Sequence, residues 1–232
     1  MKYLLLAILF IVSMLRLIAQ PTSGTTGLLN IPTAEMQRDG TFLFGSNYLP
    51  EPITPERFSY NTGNYYINIT FLPFWEVNYR LTLFHTESTG KYDRQDRSFS
   101  IRGRILKERT YIPALVIGGN DLYTHTSKES NQNFGALYLV TTKAFHWQKH
   151  VLSATLGYGI DVFEKNQYEG LFGGIAITPG FFKPLSIITE YDSHAINTGA
   201  SLLLFNHIYI QAFAYDLKYF CGGIQYRVYL EK

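Results

Sequence analysis

The chain has 232 residues, with 20 Lys and Arg against 18 Asp and Glu for a formal charge of +2. That balance, with no Lys/Arg block, excludes nucleic-acid binding as its main business, and the length fits one domain with at most a short appendage. The single cysteine, Cys221, excludes an intramolecular disulfide.

The chain opens with Lys2 followed by an apolar run from Tyr3 to Leu15. This run is too short and too terminal for a spanning helix and reads as an export signal. Cleavage near Ala19-Gln20 assigns residues 1–19 to a signal peptide. Residues 20–40 change texture: they are small, polar and punctuated by Pro and Gly, with no period of two. They are assigned to an N-terminal periplasmic or plug-like segment, in which Thr33-Ala34-Glu35-Met36 is expected to form one capped helical turn. Asp39-Gly40 then reads as a turn into the first strand.

From residue 41 to 232 apolar and polar side chains alternate in segments about 10 residues long, the pattern of a barrel strand with two unlike faces. In Glu76-Val77-Asn78-Tyr79-Arg80-Leu81-Thr82-Leu83 every second side chain is apolar and each one between is polar or charged. The predicted strands are Thr41–Leu49, Asn64–Leu72, Trp75–Phe84, Arg97–Leu106, Ile112–Asp121 and Phe134–Phe145. They continue with Val151–Val162, Gly170–Thr178, Leu185–His194, Asn197–Phe205, Ile208–Asp216 and Cys221–Leu230. Short turns such as Pro73-Phe74 and Asn206-His207 alternate with long polar loops at Pro50–Gly63, His85–Asp96 and Leu122–Asn133.

The fold class that follows is all-β: a closed antiparallel transmembrane β-barrel of about 12 strands, with ten as the nearest miscount. Closure is required because an open edge in hydrocarbon leaves unpaired N–H and C=O groups at several kcal/mol each. The apolar set, including Phe99, Ile101, Leu152, Leu156 and Ile224, should face lipid. Trp75, Tyr48, Tyr65, Tyr79, Tyr158 and Tyr226 should supply interfacial aromatics, in keeping with an aromatic content of 16%. Ile208–Asp216 fits poorly, since Tyr209, Gln211, Phe213 and Tyr215 leave neither face clean. The Gly118-Gly119, Gly173-Gly174 and Gly222-Gly223 pairs fall inside strands and are expected to admit bending or close packing.

The alternation turns a polar set inward: Glu76, Arg80, Arg102, Arg104, Asp161, Glu190, Asp192 and Arg227, with Asn68, Asn78 and Gln225 beside them. A narrow barrel fills its interior with paired charges and hydrogen bonds, which accounts for the set without any ligand. The alternative is a lumen that contacts a sugar polymer or a partner. Glu76 and Arg80 share a face but lie roughly 13 Å apart along one strand, so Arg102 or Arg104 across the ladder is the better partner for Glu76. Asp93, Arg94, Asp96 and Arg97 read as a solvated, charge-alternating loop.

Catalysis is not expected. In Asp192-Ser193-His194 the serine points to the opposite face from its neighbours, so nucleophile and base do not meet. The six His show no metal-ligand spacing, and no phosphate-binding glycine loop sits between a strand and a helix. Cys221 lies in an apolar-glycine strand with no activating base beside it. No cofactor is called for.

Gly27-Leu28-Leu29-Asn30-Ile31-Pro32-Thr33-Ala34-Glu35-Met36, followed by Asp39-Gly40, resembles the opening of the YjbH-like family of outer-membrane proteins. Leu72-Pro73-Phe74-Trp75-Glu76-Val77-Asn78-Tyr79-Arg80 resembles a second segment of that family, and the likeness runs in order from Gly27 to Gly199. The resemblance implies a location in the outer membrane of a Gram-negative bacterium and a non-catalytic part in exopolysaccharide production, export or surface attachment. Its implied partners are outer-membrane lipid and exopolysaccharide or the polysaccharide-export machinery. Two other classes stay open: an outer-membrane enzyme acting on lipid or lipopolysaccharide, and a soluble secreted ligand-binding β-barrel.

Overall fold

The computed structural model describes residues 19–54, 60–86, 90–122, 134–163 and 166–230. Residues 1–18, the body of the expected export signal, lie outside these. Twelve strands follow in chain order: β1 (Thr41–Leu49), β2 (Thr62–Phe71), β3 (Trp75–Thr86), β4 (Lys91–Leu106), β5 (Ala114–Asn120) and β6 (Ala136–Trp147). The second half comprises β7 (His150–Ile160), β8 (Gly170–Thr178), β9 (Leu185–Tyr191), β10 (Ile196–Leu204), β11 (Ile208–Tyr215) and β12 (Tyr219–Tyr229). Each strand pairs antiparallel with its neighbour in sequence. The first meets the last, from Thr41↔Tyr229 to Tyr48↔Gly222, closing the barrel. No edge is left, and ten strands is excluded.

Both strand termini and the tight hairpins between β2 and β3, β6 and β7, and β10 and β11 gather at one end, here the turn end. The opposite loop end carries the C-terminal ends of β1 and β5 and the tight turn between β11 and β12. Two turns are mirror-image turns whose twist matches the strands they join. In one, the His207 amide bonds to the Leu204 carbonyl across Phe205 (φ 52) and Asn206 (φ 62). In the other, the Lys218 amide bonds to the Tyr215 carbonyl across Asp216 (φ 49) and Leu217 (φ 56).

Strand β4 begins well before the expected Arg97. Its first residues pair with β3 through Thr86↔Lys91 and Thr82↔Asp96, so the expected charged loop is the upper part of a two-stranded ribbon. Asp96 is buried there. The pairing of β2 with β3 stops at Asn64↔Thr82, opposite Asp96, so only the ribbon beyond stands clear of β2 and needs no apolar face, which hid the start of the strand.

Outward positions carry exposed apolar side chains all round the cylinder, among them Phe44, Ile67, Phe99, Ile117, Leu139, Leu156, Ile175, Ile187 and Ile224. The inside is not uniformly wet. Asn47, Asn64, Asn68, Glu76, Asn78, Arg80 and Arg102 on β1 to β4 give it a polar half. Ala114, Val116, Tyr138, Val140, Phe172 and Ile188 on β5 to β9 give it an apolar half. Strand β11 belongs to both: Tyr209, Gln211, Phe213 and Tyr215 all face in, so its unclear phase reflects an aromatic inner face. Gly118 and Gly157 leave room for that lining, since a Cβ there would sit 2.4 Å from the Tyr138 hydroxyl and 2.2 Å from the Phe172 ring.

Candidate functional site: a lumen closed by the N-terminal segment

The space inside the barrel is occupied by the chain's own residues 19–37, all buried except the half-buried Glu35. Pro21, Gly24, Gly27 and Pro32 keep this stretch out of helix and strand. It folds instead as consecutive tight turns. The Gly24 amide bonds to the Pro21 carbonyl at 2.9 Å, Leu28 to Ile31 at 2.8 Å, and a single antiparallel bridge joins Gly27 to Pro32. Thr33-Ala34-Glu35-Met36 is irregular, bent at Ala34, rather than helical, because the Thr33 and Glu35 carbonyls are drawn to Arg102 at 2.5 and 3.0 Å.

A buried stretch without regular structure must find partners for its backbone groups elsewhere. The barrel wall supplies them. Glu190 receives the tip of the Leu28–Ile31 turn: its carboxylate accepts the Leu29 amide at 2.9 Å and the Asn30 amide at 2.6 Å. Successive backbone N–H groups converging on one anion form a nest, with the wall supplying the anion in this case. Asn197 donates to the same carboxylate at 3.2 Å. Asp192 accepts from the Asn30 side chain at 2.7 Å, and the Tyr168 hydroxyl donates to the Asn30 carbonyl at 2.8 Å. Burial pushes the Tyr168 phenol well above its ordinary range, so it stays a donor.

Across the lumen Glu76 accepts the Thr26 amide at 2.6 Å and the Asn68 side-chain amide at 2.8 Å. Arg102 lies opposite Glu76 in the ladder, 3.8 Å from it, and donates to the carbonyls of Thr26, Thr33 and Glu35. Four inward asparagines hold the remaining turn. Asn47 and Asn64 donate to the Thr22 carbonyl at 3.1 and 2.8 Å, Asn68 to Gly24 at 3.1 Å, and Asn78 to Ser23 at 2.9 Å. The opposite face of the segment is apolar, and Leu28, Leu29, Ile31 and Ala34 pack on the apolar half of the wall. The two halves of the lumen thus match the two faces of the segment that fills them.

Of the eight predicted lumen residues, Glu76, Arg102, Glu190 and Asp192 converge on this segment. Arg80 is buried nearer the loop end, where it donates to Ser98 at 3.2 Å and lies 4.2 Å over the Phe134 ring. Arg227 stacks 5.1 Å over Tyr209, whose hydroxyl in turn receives the Gln20 amide at 3.2 Å. Arg104 is half-buried at the turn-end mouth. Asp161 is a correction: β7 ends at Ile160, so Asp161 leaves the wall, is exposed, and accepts from Asn166 at 2.6 Å in the loop that follows.

Asp192-Ser193-His194 forms the β9–β10 hairpin turn. The Asp192 carboxylate accepts the amides of His194 and Ala195 at 3.1 and 2.8 Å, Ser193 sits at φ 79, and His194 is exposed. Cys221 is buried, its thiol donating to the Tyr48 carbonyl at 3.0 Å. Among the described residues no three His, Cys, Asp or Glu gather as a metal would need. Asn68 and Asn78 stood in the inward set read from sequence, whereas Asn47, Asn64, Thr142, Tyr168 and Tyr209 were the site residues missed. Asn47, Asn64, Asn68 and Asn78 recurring on inward positions was the available signal.

A closed twelve-stranded barrel whose lumen is filled by its own N-terminal segment defines the architectural class. The YjbH family model, described as "Exopolysaccharide biosynthesis protein YbjH", matches residues 19–169, more than half of the chain, and the chain belongs to that family. The match takes in the lumen segment together with Glu76 and Arg102, and stops before Glu190. The chain is also 26% identical over 148 residues to the "Uncharacterized lipoprotein YjbH" of Escherichia coli (strain K12). That alignment covers 61% of this chain but 19% of the relative, so the chain spans only a small part of that protein's length.

Proposed function

We propose that the protein is a non-catalytic outer-membrane barrel of a Gram-negative bacterium that assists production, export or surface attachment of exopolysaccharide, with its lumen held shut by residues 19–37. The observation that carries the reading is a closed barrel whose outward face is apolar on every side, in a chain belonging to an exopolysaccharide family. Such a surface is stable against acyl chains, and closure leaves no backbone group unpaired there. The turn end then faces the periplasm and the loop end the cell exterior.

The non-catalytic part rests on how the ionisable lumen groups are used. Glu76, Arg102, Glu190 and Asp192 are committed to the amides, carbonyls and side chains of the plug. Heat-modifiable migration of the protein in an outer-membrane fraction is expected, and recovery from the soluble periplasm would refute the location. In a deletion strain surface glycan should fall. Unchanged glycan would remove the exopolysaccharide role while leaving the barrel where it is.

A further inference from the structure

At the turn-end mouth a cavity of about 780 Å³ opens between the departing plug and the β4–β5 and β6–β7 turns. Its walls include Ala34 to Met36 on one side and Arg104, Lys107, Arg109, Lys143 and Phe145 on the other. Four cations face two carboxylates, Glu35 and Glu108. Glu108 is already engaged, accepting from Lys143 and from the Ala144 amide, both at 3.0 Å.

Arg104 is the unusual member. It continues the inward phase of β4 two residues beyond Arg102. Arg102 donates to three plug carbonyls and faces Glu76, whereas the half-buried Arg104 guanidinium has no hydrogen bond or ion pair with any described residue. A guanidinium partly withdrawn from water without an anion is unfavourable, and its planar fork is shaped for a carboxylate. Lys107 and Arg109 extend the positive field from the exposed turn, and Phe145 offers an apolar face about half exposed at 51%. The volume falls within the roughly 300–1,000 Å³ of small-ligand pockets.

We propose that this recess binds a carboxylate-bearing saccharide, a segment of an acidic sugar polymer, with Arg104 receiving the carboxylate. The inference rests on the exopolysaccharide reading and narrows it: a neutral polymer has no use for Arg104, Lys107 and Arg109, the three cations left beside the Lys143–Glu108 pair, and a sugar ring has a use for Phe145. The recess opens toward the side from which a polymer made inside the cell would arrive.

The test is calorimetric titration of the full detergent-solubilised chain with hexagalacturonate, against maltohexaose as the neutral control and hexaglutamate as an acidic peptide of equal charge. Hexagalacturonate should bind, and maltohexaose should not. Arg104→Gln should weaken binding tenfold or more while heat-modifiable migration stays unchanged. Arg104→Lys should restore part of the affinity, and a Lys107→Gln/Arg109→Gln pair should flatten its salt dependence. No hexagalacturonate binding, equal binding by R104Q, or hexaglutamate binding as tightly would each overturn the proposal. Oligouronate binding in a protein whose deletion leaves surface glycan unchanged would keep the recess and sink the broader role. A glycan defect without oligouronate binding would do the reverse.

Discussion

Removing the Glu190 carboxylate should release the plug while sparing the wall. In Glu190→Ala the Leu29 and Asn30 amides lose an acceptor held at 2.9 and 2.6 Å, and Asn197 loses its contact at 3.2 Å. Hydrogen bonds to a charged group contribute about 1.5–3 kcal/mol each, so the two backbone bonds alone sum to about 3–6 kcal/mol. Water entering the vacated space returns part of this, which brings the middle of that range down to about 3 kcal/mol. Amide exchange follows the local opening equilibrium, and each 1.4 kcal/mol is tenfold, so exchange at Leu29 and Asn30 should accelerate about a hundredfold. Amides of β3 and β4, across the barrel from β9, should keep their wild-type protection. Hydrogen–deuterium exchange read by mass spectrometry in detergent resolves the two regions. Unchanged exchange across Leu28–Ile31 in a variant that still migrates as a folded barrel would refute the idea that this carboxylate holds the turn.

Gly24→Ala should also unseat the plug, because Gly24 has φ +83 and a Cβ there would lie 2.5 Å from the Tyr66 ring and 2.8 Å from the Asn78 amide oxygen. Protease accessibility of residues 20–37 should rise, and a plug as protected as wild type would count against the tight seating. Arg102→Met leaves Glu76 buried without its counter-charge and should cost about 3–5 kcal/mol. The double variant with Glu76→Met should cost less than the sum of the two single changes by about 1 kcal/mol or more in urea melts, whereas strict additivity would argue against coupling. Leu156→Arg, an exposed outward position midway along β7, should lower folding stability in phospholipid vesicles by about 2–4 kcal/mol. If instead that substitution is neutral, the outer face does not meet acyl chains.

The strands were legible because a two-faced wall imposes a period of two on whatever crosses it. Eleven of the twelve begin within two residues of the expected position: β1 from Thr41 and β8 from Gly170 agree to the residue, and β4 departs, at Lys91 instead of Arg97. What the period cannot report is what fills the inside. The expectation of a wet interior failed at Val116, Val140 and Ile188, which are buried inward, since inner and outer apolar residues look alike in one dimension. Glu76 opposite Arg102 was within reach because strand geometry ruled out Arg80 by distance. Glu190 gripping Leu29 and Asn30 was not, as 160 residues separate the Asn30 amide from its acceptor and no periodicity links them. Asp161 was misplaced for a smaller reason: parity carried past Ile160, where the strand had already stopped.

Only Arg38, Asp39 and Gly40 connect the last plug residue, Gln37, to the first strand. Three extended residues reach about 10 Å, so the filler is leashed to the very strand whose pairing with β12 seals the cylinder. Six of its wall contacts, at Asn47, Asn64, Asn68, Glu76, Asn78 and Arg102, come from β1 to β4. The first half of the polypeptide therefore holds much of what is needed to seat the filler. The seam between first and last staves is thus also the mooring of the stopper, and a break in that seam should loosen both together.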